Sequence, residues 1–251
     1  MSSLQMPRNN LEIAACVVFT VLTMGNFANE AYSAPTPYSK FSGRESGKQA
    51  HVSGRLGMLI IYSPSLLAST LQLHPLNNQV AVLLATHFGK RCLEVLFLHK
   101  YSSTMPLVTS IFIGSYYTIV SLILANVRCQ HPSNALSLLG LVLFSLGECG
   151  NLYHHWLLSL LRSDLPSEDK QKSSYKIPKG GLFSYVTMPH YLFELIAWFG
   201  VALTSQHAIA FLIFSAMFSY LSGRSVATSR WNREHIANFP ANRRNLIPFI
   251  F

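Results

Sequence analysis

The sequence predicts an all-α integral membrane protein with about seven transmembrane helices in one bundle. Half of the 251 residues are hydrophobic and only 12% are charged, where a soluble domain carries about 25% charge. Seven apolar windows of bilayer-spanning length recur along the chain. The basic residues gather in alternate connections between those windows, as cytoplasmic loops require.

The windows cover residues 11–28, 56–73, 79–98, 107–126, 136–161, 184–203 and 205–222. The first contains Glu12 as its single charge. It follows a weakly basic start and leaves through Ala28-Asn29-Glu30-Ala31, a poor cleavage site, so it reads as a retained anchor rather than a signal peptide. The second contains Pro64, and the sixth opens near Pro189, where a first helical turn accepts proline. Residues 34–55 form a Pro/Ser/Gly/Lys linker and residues 163–181 a charged loop ending in Lys176-Ile-Pro-Lys-Gly-Gly181. Residues 1–55 are therefore read as an amino-terminal anchor with a polar cytosolic linker, and residues 56–251 as the membrane domain.

Charge supports this division independently. Lys40, Arg44, Lys48 and Arg55 follow the first window, Lys90, Arg91 and Lys100 mark the end of the third, five basic residues from Arg162 to Lys179 follow the fifth, and five from Arg224 to Arg244 follow the seventh. Seventeen of the nineteen Lys and Arg residues lie in these alternate segments, and only Arg8 and Arg128 lie opposite. The pattern puts the carboxyl terminus in the cytosol. The net charge of +9 is thus a topology signal, and the long apolar runs leave no polar face for nucleic acid. Cys16, Cys92, Cys129 and Cys149 show no CxxC spacing, so neither a zinc knuckle nor a disulfide framework is predicted.

An ionisable side chain at bilayer depth costs at least about 2.5 kcal/mol and needs a partner or a task. Three groups stand out. His87, Arg91 and Glu94 share one stripe of the third helix with Lys90 beside them, read either as an internal ion pair or as functional. Asn151, His154, His155 and Arg162 lie in and after the fifth. The adjacent histidines point apart, so they do not clamp one metal, and no cluster of HxxH motifs suggests a histidine-box oxygenase. Thr187, His190, Tyr191 and Glu194 open the sixth helix, where they read either as structural pairing or, with Arg162, Lys176, Lys179 and Arg224, as a pocket for an anionic cofactor. No GxGxxG or GxxxxGK[ST] motif is present, so a nucleotide would be held between helices.

The stretch Tyr175-Lys-Ile-Pro-Lys-Gly-Gly-Leu-Phe183, followed by Pro189-His-Tyr191, Glu194 and the ending Asn245-Leu-Ile-Pro-Phe-Ile-Phe251, resembles the carboxyl-terminal part of the steroid 5α-reductase family. The likeness extends upstream through residues 151–162 to His87-Phe-Gly-Lys-Arg-Cys-Leu-Glu-Val-Leu-Phe97. It implies a seven-helix reductase of the endoplasmic reticulum membrane, with the family-like carboxyl-terminal part covering about residues 100–251. Such an enzyme uses NADPH to reduce a carbon–carbon double bond conjugated to a carbonyl in a lipid, with a 3-oxo-Δ4 steroid the first expectation. With no metal-ligand spacing among its histidines and cysteines, the chain is expected to hold no metal. The family includes trans-2-enoyl-CoA and polyprenol reductases, which remain alternative activities. The third window looks closer to the enoyl-CoA enzymes, and the run from Pro189 to Glu194 is similar to plant members.

Matched one at a time, Asn151, Arg162, Tyr175, His190 and Arg224 fall at cofactor-contacting positions of the family. Glu194 and Trp198 fall at cavity-lining ones. The chain also departs from the pattern. Where the steroid enzymes carry a glutamate two residues before the second-helix proline, this sequence has Tyr62. Where they carry a tyrosine after the third-helix histidine, it has Phe88, and where they carry a tyrosine near the cofactor it has Asn232. A phenol with an ordinary pKa near 10 is neutral and donating at pH 7, so Tyr62 can replace a carboxylic acid that must be kept protonated to donate. Tyr62 is therefore the candidate catalytic donor and Phe88 a candidate substrate contact. These same losses also fit a lipid-binding or scaffold protein with degraded catalysis.

Overall fold

The computed structural model describes residues 4–41, 49–73, 78–127, 129–161 and 175–251. Its seven long helices are α1 (Asn10–Ala28), α2 (Gly54–Leu71), α3 (Gln79–Leu93), α4 (Leu107–Asn126), α5 (Asn134–Leu160), α6 (Pro189–Ser205) and α7 (Ala208–His235). Among the described residues, four segments are long and apolar enough to cross a membrane: Asn10–Ser33, Leu107–Asn126, Asn134–Leu160 and Ala208–His235. The chain is an all-α protein with the composition of a membrane protein. α2, α3 and α6 are shorter, with 18, 15 and 17 residues, and they carry much of the polar interior.

Most predicted windows coincide with helices to within two or three residues, and two do not. The sixth was expected from residue 184, yet residues Gly181–Ser184 form a separate 3₁₀ turn and α6 begins only at Pro189. Gly180 and Gly181 there adopt φ of 88° and 50°, a left-handed backbone that breaks the helix and suits glycine. The seventh window ends at residue 222, but α7 continues to His235 through buried polar residues, among them Arg224, Ser225, Thr228, Ser229 and Asn232, which an apolar window does not register. The linker is also more ordered than its composition suggested. Residues His51–Ser53 (β1) pair antiparallel with Thr104–Pro106 (β2), tying the start of α2 to the start of α4.

Local sequence explains the helix ends. Asn9, Ser53, Asn78 and Ser133 each accept from a backbone N–H in the first turn of α1, α2, α3 and α5, satisfying donors that lack an intrahelical partner. α1 continues as a π-helical turn over Asn29–Ser33, and α3 as another over Glu94–Leu98, the form that often marks functional sites. In α2, Pro64 has no N–H to offer Ile60. Gly114 of α4 packs on that carbonyl so closely that a Cβ would lie 2.7 Å from its oxygen.

The outside of the bundle is apolar, and inside it ionisable side chains are buried among an apolar core. Leu11, Val17, Val21, Met24, Val108, Phe112, Leu138 and Leu146 are exposed, while Glu30, His87, Arg91, Glu94, His155 and Arg224 are buried. Helices in lipid gain nothing by burying leucine and associate through close backbone approach and polar contacts. α5 and α6 do this directly: a Cβ on Gly147 would lie 2.4 Å from the backbone nitrogen of Ala197.

Candidate active site

The polar interior is centred on α3 and α5. The i, i+3 and i, i+4 spacings of α3 direct His87, Lys90, Arg91 and Glu94 at the matching row Glu148, Asn151 and His155 of α5. His87 Nδ1 lies 2.6 Å from Glu148 Oε1, and Lys90 Nζ lies 2.8 Å from Glu148 Oε2. Lys90 also donates to Asn151 Oδ1 at 2.6 Å. Arg91 Nη1 lies 2.5 Å from Glu94 Oε2 and 2.9 Å from His155 Nδ1. In a low-dielectric interior such charges persist only when paired and hydrogen-bonded, and this network gives each a partner.

One further bond leads out of it. Arg91 Nη2 donates to the Tyr62 hydroxyl at 2.7 Å. The Tyr62 oxygen thereby uses an acceptor site, and its own proton stays available. Around it stand aromatic rings from three other helices. Phe88 of α3 is fully buried, with its ring centre 6.5 Å from that of Tyr62, 5.6 Å from Tyr117 of α4 and 6.4 Å from Trp198 of α6. Trp198 meets His87 edge-on at 5.4 Å, and its buried Nε1–H has no partner. Glu194, one turn before Trp198, is buried on the same helix and electrostatically coupled to Tyr62 and Arg91. The space bounded by Leu84, His87, Phe144 and Trp198 has no room even for a water-sized molecule, where small-molecule pockets run to roughly 300 Å³ or more, so the helices must part to admit a ligand.

The expected cofactor residues divide into two settings. Asn151 Nδ2 donates to the carbonyl of His190 at 2.9 Å, joining α5 to the first turn of α6. The His190 ring lies 5.1 Å from that of His155, and its buried Nδ1 lacks a partner, as does the hydroxyl of Thr187. Tyr175 and Arg224 instead face the linker. Tyr175 packs edge-on against Trp231 at 4.5 Å, with Lys40 Nζ 5.3 Å from its ring centre. Arg224 is almost fully buried, donating to Glu30 Oε2 at 3.1 Å and to the carbonyls of Thr36 and Tyr38 at 2.8 and 3.0 Å. Asn232 accepts from Lys40. Arg162 lies outside the described residues.

The adjacent histidines of α5 diverge. His155 faces Arg91 and Glu94, whereas His154 bonds the Gly150 carbonyl through Nδ1 and accepts from Leu182 N–H through Nε2 at 3.1 Å. His154 therefore anchors the turn before α6. Glu94, His99 and His155 bring ligand atoms within 4.8 Å of one another, but the Arg91 guanidinium already offers its positive charge to the same Glu94 and His155 atoms, and a metal ion would have to displace it.

The sequence alone gives Glu148 no role and reads Arg91 either as the internal ion pair with Glu94 that the structure shows or as functional, without its Tyr62 contact. The signal for Glu148 was its position, a lone carboxylate in an apolar run three residues before Asn151. The signal for Arg91 was its stripe with His87 and Glu94.

The family model described as 3-oxo-5-alpha-steroid 4-dehydrogenase matches residues 103–251. The chain is 33% identical over 187 residues to 3-oxo-5-alpha-steroid 4-dehydrogenase 1 of Macaca fascicularis, covering 70% of this chain and 67% of that protein. It is 41% identical over 115 residues to the human 3-oxo-5-alpha-steroid 4-dehydrogenase 2, covering 45% and 42%. It is 34% identical over 116 residues to a steroid 5-alpha-reductase of Solanum lycopersicum, covering 45% and 42%. With a matching model over more than half its length and a polar core set among apolar helices, the chain belongs to the 3-oxo-5-alpha-steroid 4-dehydrogenase, or steroid 5α-reductase, family of oxidoreductases.

Proposed function

We propose that this protein is an NADPH-dependent reductase of a 3-oxo-Δ4 steroid, acting from a seven-span bundle in the endoplasmic reticulum membrane with its carboxyl terminus in the cytosol. In this reading residues 1–55 are the anchor and linker and residues 56–251 the reductase domain. The observation that carries it is the Arg91–Tyr62 hydrogen bond within a buried aromatic chamber, at the place where steroid enzymes carry their acid.

The residues fit the cofactor's chemistry. His190 Nδ1 and the Thr187 hydroxyl are buried polar atoms without partners, suited to a carboxamide that both donates and accepts. Asn151 fixes the His190 backbone, Arg224 holds the linker through Glu30, the Tyr175 ring packs on Trp231, and the residue type of Arg162 suits a phosphate. When bound, NADPH supplies the hydride that adds to the β carbon of the enone.

Negative charge then develops on the carbonyl oxygen. The Tyr62 hydroxyl donates to that oxygen, and Arg91 beside it strengthens the donor without taking its proton. Preorganised donors aimed at developing charge contribute about 2.7–4 kcal/mol each to such steps. The α carbon then takes one proton from water that enters once hydride has been delivered, so that H⁻ from the cofactor and H⁺ from solvent add across the double bond and Tyr62 is left neutral. Phe88, Trp198 and Glu194 line the chamber.

Incubation of the purified protein with NADPH and a panel of 3-oxo-Δ4 steroid, trans-2-enoyl-CoA and polyprenol tests this reading. Consumption of NADPH with the steroid is the expected result. Reduction of another acceptor reassigns the substrate, and absence of saturable NADPH binding removes the reductase in favour of a lipid-binding protein.

A further inference from the structure

The chamber around Tyr62 holds a second phenol, Tyr117, to which the mechanism above gives no task. The helical period of α4 sets Gly114, Tyr117 and Thr118 on one face, about one turn apart. That face lies on α2. A Cβ on Gly114 would be 2.7 Å from the carbonyl oxygen of Ile60 and 3.3 Å from Ile61 Cα, so the absent side chain lets α4 settle this close. One turn further on, Thr118 Oγ1 and Ser65 Oγ are 3.4 Å apart. The two contacts bracket Tyr62 on α2, and Tyr117 is the α4 side chain brought opposite it. Their ring centres are 6.1 Å apart with 35° between the planes, and the Tyr117 ring also meets Phe88 edge-on at 5.6 Å.

The hydroxyls of these phenols differ in what they hold. The Tyr62 oxygen accepts from Arg91 Nη2 at 2.7 Å, and Tyr38 of the linker bonds Tyr220 at 3.1 Å. Among the described residues, no hydrogen bond reaches the Tyr117 hydroxyl. Yet that hydroxyl is electrostatically coupled to Glu194, Tyr62, Tyr38 and Arg91, which places it at the charged end of the chamber, where the Tyr62 hydroxyl also lies. The ring itself packs against the hydrophobic core. A phenol so placed has given up water for an apolar setting, and a ligand oxygen is what satisfies it.

We propose that Tyr117 is a second catalytic residue, whose hydroxyl joins that of Tyr62 in donating to the carbonyl oxygen of the substrate. A carbonyl oxygen accepts along two lone-pair directions, so Tyr62 from α2 fills one and Tyr117 from α4 the other. Both bonds strengthen as hydride adds and the oxygen becomes an enolate, the moment at which a preorganised donor acts. Neither phenol gives up its proton, so the balance of the addition is unchanged. The close approach at Gly114 keeps α2 and α4 together when the chamber opens, and the pair of donors is set before the substrate arrives. The pair also selects, because a ligand with no oxygen at this end leaves the Tyr117 donor unpaired, and sites built to bond a polar atom reject analogues that lack it. This inference rests on the reductase reading, and its test separates the two.

The full chain in phosphatidylcholine nanodiscs would be given a 3-oxo-Δ4 steroid carrying a heavy isotope at its carbonyl, with NADP⁺ present so that no hydride is transferred. The isotope-edited infrared spectrum reads the carbonyl stretch, which falls in frequency with each hydrogen bond the oxygen accepts. In Tyr117→Phe the stretch of the bound steroid is expected above its wild-type position. With NADPH instead, the single-turnover rate of the same variant is expected to fall about 100-fold, the usual effect of removing one such donor. The oxygen removed bonds no described residue, so the variant keeps its fold. Tyr116→Phe, which removes the phenol next in sequence, is expected to leave both readings unchanged. A wild-type sample with no bound carbonyl band removes the steroid reading and this inference with it. A bound band that does not move in Tyr117→Phe overturns this inference alone, and so does an equal loss of rate in Tyr116→Phe.

Discussion

The Tyr62 hydroxyl accepts a 2.7 Å hydrogen bond from Arg91 Nη2, and the same guanidinium bonds Glu94 and His155 through Nη1. One side chain thus links the aromatic chamber to the buried charge network of α3 and α5. A planar fork can serve these partners together, and a lysine cannot.

Arg91→Lys therefore keeps the charge and loses the geometry. Steroid turnover is expected to fall roughly 10- to 100-fold, consistent with loss of one or two oriented hydrogen bonds at about 1.4 kcal/mol per decade, while NADPH affinity changes little. Steady-state kinetics beside a cofactor titration checks this, and an equal loss in both would make Arg91 a general structural support.

Glu30 and Arg224 form a pair in which both side chains are almost wholly buried. Glu30→Gln leaves the guanidinium without its counter-charge, and breaking such a pair costs about 3–5 kcal/mol. The unfolding midpoint in detergent is expected to drop, and the Glu30→Gln/Arg224→Met double variant to recover part of the loss. An unchanged midpoint in the single variant would mean that the linker carbonyls alone hold Arg224.

His154 presents its Nε2 to the backbone N–H of Leu182. His154→Ala leaves that amide unpaired, at a cost of about 1–3 kcal/mol if it stays buried. Hydrogen exchange at residues 181–186 should quicken, with α5 itself unaffected. Unaltered protection of the turn would remove His154 as its anchor.

At Gly147 any side chain would meet the backbone of α6, with a Cβ 2.4 Å from Ala197 N and 2.6 Å from Phe193 O. Gly147→Leu should separate α5 from α6 and destabilise the protein by more than the usual 1–3 kcal/mol of overpacking, measurable as loss of monodisperse protein in size-exclusion chromatography. Wild-type elution and melting would show that the two helices have room to move apart.

Much of the fold was legible because a membrane makes apolar length a direct signal. Where the windows misled, at the start of α6 and the end of α7, hydropathy was silent about backbone geometry: Gly180 and Gly181 break the chain by conformation, and α7 outlasts its apolar run. Tyr62, Phe88 and Trp198 were singled out separately and converge in space. Glu148 was overlooked because its meaning depends on His87 and Lys90, some sixty residues earlier in the chain, and pairings at that range are set by helix packing that no local pattern encodes. Arg224 shows the converse. Its residue type suits a phosphate, yet Glu30 and the linker carbonyls claim its donors, and nothing in the local sequence announced that partner.

The central claim is that a neutral phenol replaces the carboxylic acid of related enzymes. Tyr62→Phe removes one oxygen, and the measurement is the single-turnover rate of NADPH oxidation with a 3-oxo-Δ4 steroid, alongside cofactor affinity. The account predicts a loss of about 100-fold or more in rate with cofactor binding intact. A Tyr62→Phe protein that turns over at the wild-type rate would contradict it.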